Sequence, residues 1–481
     1  MTATGIQRWG SYLPRLRLQR DTIVQSTGWM NPALKAQARG SRTVANWDED
    51  ALTMAVAAGQ SSLTLSSQPE IERVVFASTT APFLDRSNSG LMAEAMALSN
   101  DIQTQDVGGS QRAATSALLQ ALRSESTNTL LCAADRRQTL MGGVSELRYG
   151  DAGSAVIAGP GDGVARFLGG HSVQQDLVDH YRSDQQQTDY HLEDRWVRDM
   201  GVLSVIPEAV NQACQSAGVS VEAIDQLIVP LATGHARKLA GALGMDDKVL
   251  ADNLHSDIGE TGVGHGLLML AAALETAQPG QLLCLVGVGQ GCDVLLFETT
   301  QALGTLQRTE FADARENGTP LDDYLKLPAF NRQLPLDGGI RAEADKRTAM
   351  SAYFRRRGDI NTMMGSVCQA CDTPHFPSAR VCVACQAVDQ MSPYGFSQRL
   401  ATVKTFTEDW LAATPAPPFC YGNVAFDGGG NAFLEISDVG AGDLTVGTRL
   451  RMQFRIKDFD GPRNFRRYFW KPTPLGSANH G

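Results

Sequence analysis

Three paired segments, in the same order in each half of a 300-residue stretch, constrain this 481-residue chain more than any other feature. Residues 69–80 (PEIERVVFASTT) and 222–233 (EAIDQLIVPLAT) each read as a polar lead-in to a buried apolar strand. Residues 106–132 (DVGGSQRAATSALLQALRSESTNTLLC) run from a Gly-rich turn through an apolar helix and a polar break to a strand ending Leu-Leu-Cys. Residues 257–284 (DIGETGVGHGLLMLAAALETAQPGQLLC) do the same. Last, 149–159 (YGDAGSAVIAG) and 287–297 (GVGQGCDVLLF) both pass from a glycine turn into a strand. Shared order as well as shared pattern implies duplication. The expectation is two similar α/β halves, 1–165 and 166–300, about a pseudo-twofold axis. Short apolar strands alternating with helices predict mostly parallel, buried sheets.

Beyond residue 300 the chain changes character. Residues 301–345 are polar and read as a connector, followed by a helix over 341–357 with a basic end. The spacing Cys368-x2-Cys371-x10-Cys382-x2-Cys385 falls within a predicted helix-and-ribbon segment, 346–390. Four thiolates at knuckle spacing satisfy tetrahedral Zn²⁺ with no open position, which predicts a structural zinc site. His375 lies in the intervening loop as an exposed residue that could replace one Cys. The other cysteines (Cys132, Cys214, Cys284, Cys292, Cys420) sit mostly in apolar segments and read as small core residues. From 391 to 481, alternating strands separated by TPAPP and DGGG suggest a small β-barrel of OB type.

Lys+Arg 42 against Asp+Glu 52 leaves a net charge of −10, which argues against a general nucleic-acid binder. No run approaches the ~18 apolar residues of a membrane span, and the N-terminal segment has no apolar secretory core. A soluble, cytoplasmic protein is expected. GVGQG and GDGV are not placed between strand and helix as a dinucleotide fingerprint requires. The basic, aromatic DFDGPRNFRRYFWKP reads as packing or a CoA-phosphate contact rather than an RNA surface.

The pieces GIQRWGSYLPRLRL, WDEDALTMAVAA, DVGGSQRAATSALLQAL, YGDAGSAVIAG, DIGETGVGHGLLMLAAALE and GVGQGCDVLLFE together resemble the thiolase superfamily. The branch they resemble contains hydroxymethylglutaryl-CoA synthase and ketoacyl synthase III. The four-cysteine ribbon and following barrel resemble the zinc-ribbon plus OB-fold domain (DUF35) that accompanies such enzymes. The resemblance implies an αβαβα core, a coenzyme A thioester substrate and a homodimer, while the charge and hydropathy above predict no nucleic-acid or membrane partner.

At the positions where the family carries its chemistry, this chain departs from it. The family's nucleophilic cysteine aligns with Gln111, its histidine with Val229 or Pro230, its asparagine with Glu260 and its glutamate with Thr80 or Ala81. An amide cannot form an acyl-enzyme. Glu260, Thr261 and His265 remain, on the turn that is the pseudo-symmetric partner of the Gln111 turn. Glu260 and His265 read either as an acid/base pair or as residues that cap and pack a helix. Cys292 reads as an acid/base group or as core. His235 and His255 are secondary candidates, Asp85 and Tyr149 could line the tunnel, and His171, His180 and His191 read as a polar surface loop. The expected activity is retro-aldol cleavage of a β-hydroxyacyl-CoA without an acyl-enzyme. The alternatives are a condensing or acyl-transfer enzyme similar to hydroxymethylglutaryl-CoA synthase and a non-catalytic CoA-binding scaffold.

Overall fold

Along Leu282–Val288 and Gly291–Thr299, side chains alternate between two buried surfaces. Leu283, Leu285, Leu295 and Phe297 enter one apolar cluster, while Cys284, Val286, Val294 and Leu296 enter another. Strands apolar on both faces must lie between two layers. The computed structural model, which describes residues 3–63, 69–124, 127–306 and 310–475, shows those layers. The polar break expected around 125–126 lies outside the described residues.

The chain forms two compact units. The first comprises Met1–Ala45, Asp50–Ala93 and Leu98–Lys326. Its nine-stranded sheet runs Gln226–Ile228, Leu282–Val288, Gly291–Thr299, Ala165–Gln174, Thr4–Tyr12, Ala152–Pro160, Thr129–Asp135, Arg73–Ala77, Gln103–Val107. The halves join where Gly5 and Ile6 pair with Arg166 and Ala165. Moving outward from this seam, the duplicated segments occupy equivalent places: 152–160 and 291–299, then 129–135 and 282–288, then 73–77 and 226–228. The edge place of Gln103–Val107 is taken in the second half by a single bridge, Leu227 to Leu250.

Helices Ala113–Arg123 and His265–Thr276 form the middle layer, each touching strands of both halves. Leu118, Leu119 and Leu122 of one share a core with Leu267, Leu268 and Leu270 of the other. Each such leucine contributes roughly 1.5–3 kcal/mol of burial. Helix Ala51–Leu63 covers the first half, and helix Leu203–Ala217, ended by Gly218 at φ 68°, covers the second.

The sheet is mixed rather than mostly parallel. Among its described strands, 226–228/282–288, 73–77/103–107 and 73–77/129–135 pair parallel and the other pairs antiparallel. The turn at Gly289–Gln290 shows why the expectation failed: two residues can return a strand only antiparallel to itself. The first unit also runs past residue 300. Helix Glu310–Glu316 is followed by strand Thr319–Pro320, which pairs with Leu16–Gln19.

The second unit comprises Asn46–Glu49, Glu94–Ala97 and Leu327–Gly481. The single helix expected over 341–357 is broken into Ile340–Ala342, Met350–Arg355 and Arg357–Asn361. Nearly all of that segment is exposed, so it lacks the buried face that sustains a long helix. Met364–Cys368, Pro374–His375 and Met391–Gly395 form the three-stranded ribbon. The expected alternating strands then appear as a five-stranded antiparallel sheet ordered Asn431–Glu435, Phe419–Phe426, Ala401–Asp409, Arg449–Asp460, Phe465–Pro474. The Ser437 N–H donates to Pro472 O at 3.0 Å, bringing the first and last strands of that order together. No helix among the described residues is long and apolar enough to cross a membrane.

Candidate active site

Gln111 sits half-buried in the turn that starts helix Ala113–Arg123, and the second half of the duplication holds that turn. The Ser110 hydroxyl donates to Gly289 O at 3.1 Å, and Arg112 pairs with Asp293 at 3.0 Å. Asp293, buried, also accepts from Thr115, Ser116 and Ser172. Gly289 has to be glycine here, since a Cβ would press on the Ser110 hydroxyl and on Gln111. A helix amino end with a primary amide beside it stabilises a developing oxyanion but supplies no nucleophile. Val229 is buried in the outer core of the second half, so this position carries no imidazole.

The equivalent turn in the second half carries Glu260. Its backbone pairs across to the first half, N–H to Arg148 O at 2.8 Å and O from Gly150 N–H at 3.0 Å. Its carboxylate meets Arg137 at 3.1 Å and stays 34% exposed. Burial raises the Glu260 pKa, but Arg137, then His255 and His265, outweigh it and draw it down to about 2. Asp135 organises the floor beneath. It accepts from the hydroxyls of Ser78, Thr79 and Thr80 and from Val263 N–H, and a Cβ at Gly262 would run into it. Thr80 is thus a structural ligand of Asp135.

His265 does not form the expected acid/base pair. It is 1% exposed, and both ring nitrogens are occupied. Nδ1 accepts from Thr261 N–H at 3.2 Å, which leaves Nε2–H to donate to Asn253 O at 3.0 Å. Burial, then His255, lowers its pKa to about 3, so the ring stays neutral and serves the packing of its own helix. The His255 ring lies 5.1 Å away, tilted against it, its pKa lowered by burial. His235 pairs with Asp194 at 3.1 Å, and Asp85 is exposed. Cys292 is fully buried, and burial, then Asp293, raises its pKa to about 12. It behaves as core.

The segment read as a polar surface loop folds onto the site instead. His180–Tyr181 and Tyr190–His191 make a two-stranded ribbon, and His171 lies in the main sheet opposite Val294. The ribbon bears directly on Tyr149, which is 2% exposed: its hydroxyl lies 2.6 Å from Asp189 Oδ2 and 2.8 Å from His191 Nε2. The Arg137 guanidinium stacks 3.5 Å over the Tyr149 ring. Arg182 ties Asp189 to Thr79 O. At its other end Asp179 binds Gln290, which follows Gly289, the acceptor of the Ser110 hydroxyl, and lies 3.2 Å from His180 Nδ1. His180 in turn stacks on His191 at 6.0 Å. One contact chain therefore runs from Ser110, beside Gln111, through Gly289, Gln290, Asp179, His180, His191 and Tyr149 to Arg137 and Glu260. Sequence reading missed Arg137, Asp189, Arg182 and the role of His191. The available signal was the paired His-Tyr and Tyr-His dipeptides in an otherwise polar run.

In the second unit, Cys368, Cys371, Cys382 and Cys385 converge with all four sulfurs within 4.8 Å of one another. Cys368–Cys385 and Cys371–Cys382 are separated by 3.6 and 3.5 Å, close to the ~3.8 Å edge of a tetrahedron built on Zn–S bonds of about 2.3 Å. Backbone N–H groups, that of Cys385 first, lower the Cys382 pKa to about 5, which favours the metal-binding thiolate. These four residues can hold a metal such as zinc. His375 is buried, not exposed, and is not among the four converging ligands. Among the described residues, no other group of His, Cys, Asp or Glu converges in this way.

No family model matches the chain. It is 26% identical over 353 residues to hydroxymethylglutaryl-CoA synthase of Aeropyrum pernix, covering 71% of this chain and 94% of that one. It is likewise 26% identical over 359 residues to the enzyme of the same name from Thermococcus gammatolerans, covering 71% and 96%. Among solved structures, a hydroxymethylglutaryl-CoA synthase complexed with CoA aligns with a TM-score of 0.57 at 16% identity, over 72% of this chain and 95% of that one. Ketoacyl synthase III of Pseudomonas aeruginosa aligns with a TM-score of 0.53 at 17% identity, over 62% and 99%. Together with the duplicated sheet and its two central helices, these likenesses show that the first unit has the thiolase-like α/β fold of the hydroxymethylglutaryl-CoA synthase and ketoacyl synthase III type.

Proposed function

We propose that this chain binds an acyl-CoA thioester and cleaves the Cα–Cβ bond of a β-hydroxyacyl-CoA by a retro-aldol route, without an acyl-enzyme. The observation that carries the reading is Gln111 at the start of helix Ala113–Arg123. Related folds bind CoA, as in the CoA complex of hydroxymethylglutaryl-CoA synthase, while Gln111 offers amide donors where a covalent mechanism needs a thiolate. Cys292 does not replace it, because its thiol is buried and protonated. The helix amino end and the Gln111 amide hold the thioester oxygen as the bond breaks, and the enolate formed is protonated at Cα. The four-cysteine cluster holds a structural zinc in this reading, and the closing Ser437–Pro472 contact supports an OB-type barrel. The active form is a cytoplasmic homodimer.

A condensing or acyl-transfer activity is the second reading, favoured by the names of the relatives. One experiment separates the two. The protein is incubated with a panel of β-hydroxyacyl-CoAs and, separately, with acetyl-CoA, and small products and intact protein mass are both followed. Release of an aldehyde or ketone with no mass added to the protein is the expected result. A stable acyl adduct on any residue would replace cleavage by condensation.

A further inference from the structure

His191 is the exposed member of the cluster around Tyr149, and the hydrogen bonds that end on it fix its chemistry. Asp189 Oδ1 accepts from Arg182 at 2.8 Å, and Arg137 lies 3.8 Å from Oδ2. A carboxylate between two guanidinium groups has only acceptors to offer, so the Tyr149 hydroxyl, 2.6 Å from Oδ2, is the donor in that contact. With its one proton directed there, the phenolic oxygen can only accept from His191 Nε2 at 2.8 Å. Neutral His191 is therefore the Nε2–H tautomer, and Nδ1 carries the free lone pair.

We infer that His191 is the proton acceptor of the site, a role resting on the cleavage reading above, with Tyr149 and Asp189 as its positioning residues. Nδ1 takes the proton of the substrate β-hydroxyl. The oxygen's electrons form the new carbonyl, the Cα–Cβ bond breaks, and its electron pair passes to the thioester oxygen. The imidazolium then returns the proton to Cα, so the residue ends as it began and no co-reactant is consumed. Asp189 stabilises the transient imidazolium through the Tyr149 hydroxyl. This is the role of the third member in a nucleophile–base–carboxylate arrangement, with a phenol interposed.

The surroundings suit a base. Burial raises the Tyr149 pKa well above the usual phenol range, so the hydroxyl keeps its proton, and desolvation lowers that of His191, so the ring is neutral at pH 7. The groups facing it are Tyr149, Ser145 at 3.2 Å, Asp189, the stacked His180, Glu260 and Arg137. His265, with both nitrogens taken, is no competitor.

The test uses a step that does not depend on C–C cleavage. A base that protonates an enolate at Cα also removes that proton, so the full-length protein in D₂O should introduce deuterium at Cα of propionyl-CoA. His191→Gln should slow this exchange by about 10²-fold or more, the usual scale for losing an acid/base group, with propionyl-CoA still bound. Exchange at the wild-type rate in His191→Gln, or none in the wild type, overturns the inference. In Tyr149→Phe, long-range ¹⁵N NMR should show both tautomers at His191 where the wild type shows Nε2–H alone; an unchanged single tautomer removes Tyr149 from the positioning role. If exchange depends on His191 but no β-hydroxyacyl-CoA is cleaved, the retro-aldol reading falls and the base stands.

Discussion

Two buried arginines, Arg455 in the second unit and Arg137 in the first, each gather a cluster of charge, and the two clusters differ in where they end. In the second unit, Asp48 contacts Arg455 at 3.2 Å and Lys471 at 2.9 Å. Arg455 also reaches Glu49 and Asp438, and Lys471 reaches Glu435. The side chains of Asp48, Arg455 and Lys471 are 0–2% exposed. In the first unit, Arg137 is equally buried, but the partners it collects, Glu260 and the Asp189–Tyr149–His191 chain, lead outward to groups that remain open to solvent. A closed network with every acceptor filled can only hold structure together. A network that ends on an exposed imidazole and a one-third-exposed carboxylate leaves polar groups open to solvent, the arrangement on which the proposed site rests.

The largest effect should come from breaking the closed network. Arg455→Met leaves Asp48, Glu49 and Asp438 short of a buried partner and should cost the second unit about 3–5 kcal/mol. Urea unfolding followed by hydrogen exchange in Arg449–Asp460 and Phe465–Pro474 measures this; a loss below about 1 kcal/mol, the scale of an exposed pair, would contradict the comparison.

Acid should separate the units next. His265 is lowered from 6.5 to about 3, so the unfolded chain binds the extra proton first. Its contribution is complete above about pH 6.5 and is lost as pH falls toward 3. For Asp48, burial raises the pKa but Lys471 and Arg455 lower it further, from 3.8 to about 2. That contribution is complete above about pH 4 and is lost only as pH falls through 2. Hydrogen exchange at decreasing pH should therefore show helix His265–Thr276 loosening before the strands around Asp48. The reverse order would sink the assignment.

Smaller still is the metal effect, confined to the ribbon. Metal analysis should find about one zinc per chain. Cys368→Ser should speed exchange in Met364–Cys368 and Met391–Gly395 while leaving the first unit unchanged. The smallest effect should follow Glu260→Gln. Its carboxylate is partly solvated, so stability should fall by no more than about 1 kcal/mol in a melt of the full chain. A loss as large as that of Arg455→Met would erase the distinction between the clusters.

Local pattern was enough to place much of this molecule. The paired segments identified equivalent strands because burial on both faces leaves a continuous apolar run, and an apolar helix after a glycine turn has few other uses. The four-cysteine spacing and the five C-terminal strands were legible for the same reason: each signal is complete within a few residues. Gln111 was also readable, since it stands in a recognisable turn.

Tertiary structure alone decided the rest. Strand direction depended on the two-residue turn at Gly289–Gln290, and the helix over 341–357 broke because nearly all of it is exposed. His265 looked like a free base until the fold placed Thr261 and Asn253 O on its two nitrogens. His191 looked like a loop residue until the fold placed Tyr149, 42 positions away, against it. A side chain's chemistry depends on which lone pairs and protons its neighbours already occupy, and those neighbours are chosen by the fold rather than by the adjacent sequence.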